Sequence, residues 1–237
     1  MKKNVGSTLA GKILAGIPWL PLLKAVFLNV LSWIIFLLIL LAFYFIWLRD
    51  YQMNWGAAAE DINRYMPGDE LIENPEFNAT RAVEINAPPE KIWPWIIQMG
   101  NTRAGYYGFD NLDNGGMPSA TGILAEYQDL KVGDSIPGGI YKGKIWHLME
   151  IREMDPGKEM LWVFLKGTPW EGSTWSWGLY RIDDSRTKLV SRLRFRYRFD
   201  SFQQVVACSM IDAVEILMMR TTLLGIRYRA ENMKKNK

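Results

Sequence analysis

The sequence predicts an α+β domain carried behind a single membrane-spanning helix. Three features carry that prediction. An uncharged apolar run fills residues 26–48. Alternating segments separated by short Gly, Pro and Asp turns fill most of residues 144–199. A segment rich in Val, Ile, Leu and Met follows, over residues 202–232. Strands that cluster before a long helix, instead of alternating with helices, belong to the α+β class.

The totals exclude several kinds of function. The 237 residues allow one domain plus an anchor. Charged residues make up 22% and hydrophobic ones 49%, which fits neither a disordered chain nor a polytopic membrane protein. A net charge of +3, with no nucleic-acid-binding motif, argues against a nucleic-acid partner. One cysteine, Cys208, and one histidine, His147, exclude an intramolecular disulfide, a thiolate cluster and a multi-histidine site. No metal and no cofactor are expected. PGGIYKG lacks the strand, spacing and lysine–hydroxyl pair of a nucleotide loop. The 11 tryptophans instead point to large apolar walls.

Residues 1–24 carry Lys2, Lys3, Lys12 and Lys24 and no acid. Pro18 and Pro21 interrupt their apolar part, so they read as a basic interfacial segment. Residues 25–49 read as the span. Val26 to Leu48 is uncharged and, as a helix, covers roughly 34 Å, the thickness of a hydrocarbon core. A cleaved signal peptide is the alternative, with Ala57-Ala58-Ala59 as its cleavage site, but the run exceeds a normal h-region. Four lysines before the span, against Arg49 and Arg64 soon after it, predict a cytoplasmic N-terminus and an external domain. Residues 50–79 read as a stalk, because MPGDELIENPEFN mixes acids with turn residues.

The domain is expected over residues 80–232, with 233–237 as a basic tail. Thr80 to Ile85 alternates as a strand. Pro88-Pro89 ends it, and Pro89 with Glu90 suits the first turn of an aromatic helix through Met99. Tyr106 to Leu112 predicts a second short helix. Met117 to Gly143 reads as loop, with Pro137-Gly138-Gly139 as a turn. Four strands follow, at Lys144–Glu153, Glu159–Lys166, Thr174–Ile182 and Lys188–Phe199, and their short connections imply an antiparallel meander. Phe202 to Asn232 closes the chain as a long helix.

ATRAVEINAPPEKIWPWIIQMG resembles the opening signature of the START-type (SRPBCC) superfamily, which includes lipid-transfer and polyketide cyclase/dehydrase-like proteins. RAGYYGFDNLDN, EYQDLKVGD and LLGIRYRAE resemble a membrane-anchored bacterial subgroup, and the likeness covers Trp55 to Glu231. The resemblance implies the helix-grip fold, a curved antiparallel sheet around a long C-terminal helix. It also implies a cavity for a hydrophobic small molecule or lipid. Binders, carriers and enzymes all use this fold, so the resemblance does not choose among them.

Arg103, Tyr106, Tyr107, Asp110 and Asp113 with Gln98 form the first polar constellation. They either orient a ligand, or perform general acid–base chemistry with Asp110, Arg103 and Tyr106, or hold the two short helices together through an Arg103–carboxylate pair. Trp93, Trp175, Trp177, Tyr197 and Met218 complete the expected ligand wall. Core packing is the competing role for them and for Trp95, Trp162, Phe195 and Met210. His147 has no nucleophile placed beside it, and Cys208 reads as a small buried thiol. Arg192, Arg194, Arg196 and Arg198 share one strand face, expected to be either solvated or in contact with anionic headgroups. A tethered interaction module is the remaining alternative.

Overall fold

Six strands form one antiparallel sheet in the order β1-β6-β5-β4-β3-β2. They are β1 (Phe77–Ile85), β2 (Ser135–Tyr141), β3 (Lys144–Asp155), β4 (Glu159–Phe164), β5 (Thr174–Arg181) and β6 (Thr187–Phe195). The computed structural model describes residues 19–141, 144–165, 170–196 and 202–233. Expectations on Tyr197 and Arg198 lie outside them, as do those on the side chains of His147, Cys208 and Met210. The chain divides into Met1–Asp50 and Tyr51–Lys237.

In the first unit, α1 (Leu20–Phe43) passes into a π-helical turn at Tyr44–Leu48 and then into α2 (Arg49–Met53). Pro21 sits in the first turn of α1, where its missing N–H is harmless. No residue of α1 is buried, and the helical run Leu20–Met53 is long and apolar enough to cross a membrane.

The second unit is an α+β domain of the helix-grip kind. Strands β2 to β6 run as a meander, and β1 returns to pair with β6. The long helix α6 (Phe202–Asn232) packs on β1 and on α4 (Pro89–Ile97). Odd residues of β1 and β6, among them Phe77, Val83, Leu189, Leu193 and Phe195, face the core with α6, as the alternation requires. Gly225 lets α6 approach the 106–107 loop, since a Cβ there would lie 2.1 Å from the Tyr107 carbonyl oxygen.

Three expectations need correction. The sheet has one more strand than the sequence suggests, because Pro137-Gly138-Gly139 lies inside β2 and not in a turn. As an edge strand β2 tolerates proline, and its register against β3 shifts at these residues. The second short helix is only Asp110–Asp113 (α5), which leaves Tyr106 and Tyr107 in the loop before it; Tyr107 has a left-handed φ of 63°.

The third correction concerns residues 51–76 and the arginine stripe together. Residues 57–69 of the segment read as a stalk pack on the outer face of the sheet, while Met53 and Trp55 join the core on the other face. They contain α3 (Ala59–Asn63), and Met66 is buried against Ala82 and Val190. Arg192 is 3% exposed, and its five N–H donors are all used. They reach Thr80 Oγ1 (2.9 Å), the carbonyls of Asp61, Ile62 and Arg64 (2.8 Å each) and Asp69 Oδ2 (2.5 Å). Arg194 holds the other Asp69 oxygen at 2.6 Å. Strand alternation does place these arginines on one face. Solvent does not cover that face at Arg192 and Arg194, because the 61–69 backbone and Asp69 do; Arg196 is exposed.

Candidate functional site

Between the inner face of the sheet and α6 lies a cavity of about 340 Å³. That is the low end of the size of small-molecule sites. Its aromatic wall comes from Tyr106, Phe164, Trp170, Trp175 and Phe195, and α6 adds Val214, Met218 and Met219. Cross-strand register builds this wall. Trp162 of β4 is opposite Trp175 of β5, and Trp177 is two residues further along the same face. Their ring centroids are 5.0–6.0 Å apart. Tyr106 stacks on Trp175 at 6.0 Å and donates its hydroxyl to the Gly138 carbonyl at 3.1 Å.

The polar lining is Asn101, Asp113, Glu215 and Thr222. Glu215 of α6 forms a buried ion pair with Arg81 of β1, whose Nε donates to the Gln52 carbonyl. Asp113 is 7% exposed, and its carboxylate oxygens have no side-chain partner and only weak backbone N–H contacts from Phe109 and Asp113 itself. Burial first, and the neighbouring charge of Asp110 second, push its carboxyl up to about 6. Gly108 accommodates it, since a Cβ there would fall 2.8 Å from Asp113 Oδ2. The Tyr106 phenol is pushed up by burial, so it stays protonated at neutral pH.

Of the residues expected at the site, Tyr106, Trp175 and Met218 line the cavity. Trp177 is fully buried behind Trp175, and Trp93 is a half-buried part of the core margin. Gln98 is a buried hub. It donates to the Tyr107 hydroxyl (3.0 Å) and the Gly122 carbonyl, and accepts from Leu124 N–H (2.9 Å) and Gln128. Tyr107 completes that network by donating to the Trp95 carbonyl at 2.9 Å.

The Arg103–carboxylate pair does not form. Arg103 reaches the Ile97 and Tyr127 carbonyls at 3.2 Å each and lies over the Tyr127 ring. Asp110 binds Ser119 instead, accepting from its hydroxyl at 2.5 Å and its N–H at 3.0 Å. Both side chains are thus engaged in fixing loops, and neither lines the cavity.

Nothing in the residue pattern marks Asn101, Glu215 or Thr222 as lining residues. The β-period could have found Phe164, which shares the inner face with Trp162. Among the described residues no group of three His, Cys, Asp or Glu side chains could hold a metal ion.

No family model matches the chain, and no curated protein matches it. Solved structures do match. The Zhui aromatase/cyclase from Streptomyces sp. R1128 is 17% identical, with a TM-score of 0.43, over 65% of this chain and 93% of that one. The polyketide-cyclase-like protein Cgl2372 from Corynebacterium glutamicum is 15% identical, with a TM-score of 0.42, over 63% and 88%. The Aha1 dimer from Colwellia psychrerythraea is 18% identical, with a TM-score of 0.38, over 66% and 98%.

Proposed function

We propose that this chain is a membrane-anchored binding protein that holds a hydrophobic small molecule or lipid in the cavity between its sheet and α6. The cavity carries the reading: five aromatic side chains and two methionines wall a space of about 340 Å³. The apolar run Leu20–Met53 supports the anchor. The four lysines before Val26 support a cytoplasmic N-terminus and an external domain, which a protease-protection assay on intact cells tests.

Native mass spectrometry of the full chain, released gently from membranes, tests the binding. A co-purifying hydrophobic mass is expected. It should be lost in Val214→Trp, which blocks the cavity from an exposed lining position. A chain that carries no such mass and takes up no added apolar probe overturns the reading.

A second reading, general acid–base catalysis of the cyclase or dehydratase kind, is favoured by one observation. Burial pushes the Asp113 carboxyl up to about 6, and Asp113 lines the cavity. It moves the candidate catalytic group from Asp110 to Asp113. Conversion of a bound ligand by the wild type, abolished in Asp113→Asn while uptake persists, is the result that would establish it.

A further inference from the structure

We propose that the cavity selects a hydrophobic ligand ending in a primary ammonium group, seated against Asn101 and Asp113. This rests on the binding reading above and adds the chemistry of the ligand's polar end.

The unfilled hydrogen-bonding capacity of the lining carries the inference. Among the described lining residues, three buried side-chain polar atoms lack a hydrogen bond of normal geometry: Asn101 Oδ1, Asp113 Oδ1 and Asp113 Oδ2. All three are acceptors. Asn101 is 2% exposed and Asp113 is 7% exposed, so solvent at the surface does not serve them. The orientation of Asn101 is fixed, because its Nδ2 donates to the Asp113 carbonyl at 3.1 Å, which leaves Oδ1 as the acceptor. That bond ties the Asn101 side chain to the Asp113 backbone, and both residues line the same cavity.

Among the described residues, Arg81, Arg103 and Arg229 are committed elsewhere. Arg81 pairs with Glu215. Arg103 turns to the Ile97 and Tyr127 carbonyls, and Arg229 to those of Ala120 and Gly225. The Tyr106 hydroxyl is given to Gly138. A buried carboxylate without a counter-charge is costly, and a cation supplied by the ligand relieves that cost. A primary ammonium brings a charge and three donors, and its hydrogen bonds to a carboxylate are charge-assisted. An alcohol offers one donor and no charge. A ligand ending in carboxylate or phosphate meets like charge, so the same site rejects fatty acids and anionic headgroups.

The matched probes 2-phenylethylamine and 2-phenylethanol differ only in this end group. Their affinities for the full chain in detergent micelles are read by ligand-observed saturation-transfer NMR, with empty micelles subtracted, at a pH where Asp113 is ionised. The amine is expected to bind about tenfold more tightly than the alcohol, the scale of one charge-assisted hydrogen bond. In Asp113→Asn that ratio is expected to fall to about one. Equal affinities in the wild type, or a preference that survives in Asp113→Asn, overturn the ammonium proposal and leave the binding reading standing. Failure of the wild type to bind either probe overturns the ammonium proposal, and the binding reading falls with it only if no hydrophobic mass co-purifies with the chain.

Discussion

Asp113→Asn tests the electrostatics of the cavity without any ligand. Burial raises the Asp113 carboxyl from 3.8 to about 6, so the folded chain favours the protonated form. Between those two values the folded state binds more protons than the unfolded state. Stability therefore falls as pH rises through that window, and is flat below and above it. At about 1.4 kcal/mol per unit, the ionised carboxylate costs the fold about 3 kcal/mol at neutral pH. Asn has nearly the same shape and no charge, so it removes that cost.

The Phe109 and Asp113 N–H groups oppose the shift in part, and the carboxyl is still pushed up to about 6. Asp110, on the same short helix, adds to it. Tyr106 stays protonated, and Glu215 on α6 is neutralised by Arg81 on β1. The assay is thermal unfolding of the full chain in mild detergent, across pH values that bracket the window. Near neutrality the variant should melt about 6–12 °C above the wild type, at about 2–4 °C per kcal/mol for a domain of this size. At pH values below the window the two should coincide. A difference that does not change with pH, or a variant less stable near neutrality, would refute the reasoning.

Three further predictions follow from the packing. Arg192→Ala strands three carbonyls and leaves Asp69 with Arg194 as its only cation, so it should lose about 3 kcal/mol in denaturant titration. Arg192→Lys should not restore it, since an ammonium cannot reproduce the planar fork. Gly225→Ala should destabilise by about 1–3 kcal/mol in the same titration. Helix propensity alone predicts a gain there of about 1 kcal/mol, so the sign of the result decides whether the contact with Tyr107 dominates. A double-mutant cycle on Arg103 and Asp110 should show coupling below about 0.5 kcal/mol, whereas one on Asp110 and Ser119 should exceed it.

Periodicity made the architecture legible. The alternation of β6, the turns between strands and the apolar length of α6 lie within a few residues of where the sequence puts them. What escaped is what only the third dimension supplies. Pro137-Gly138-Gly139 has turn chemistry, and only its place at the sheet edge makes it a strand. The Arg192 stripe has the pattern of a wet face, and only the return of residues 61–69 over it makes it dry. Asp113 differs from Asp110 in nothing the sequence displays. One turns to Ser119 and the other toward the cavity, and that difference in direction sets their chemistry.

The Arg192 clamp also decides where a soluble fragment has to begin. A cut at residue 80, the boundary that composition suggests, would remove the first three residues of β1 and take Asp69 with them. Arg192 and Arg194 would then be left as bare cations on a sheet face also carrying apolar Ala82 and Val190. Such a fragment is expected to aggregate. One that starts at Tyr51 keeps the clamp and the Arg81–Gln52 contact, and needs no lipid to fill their places.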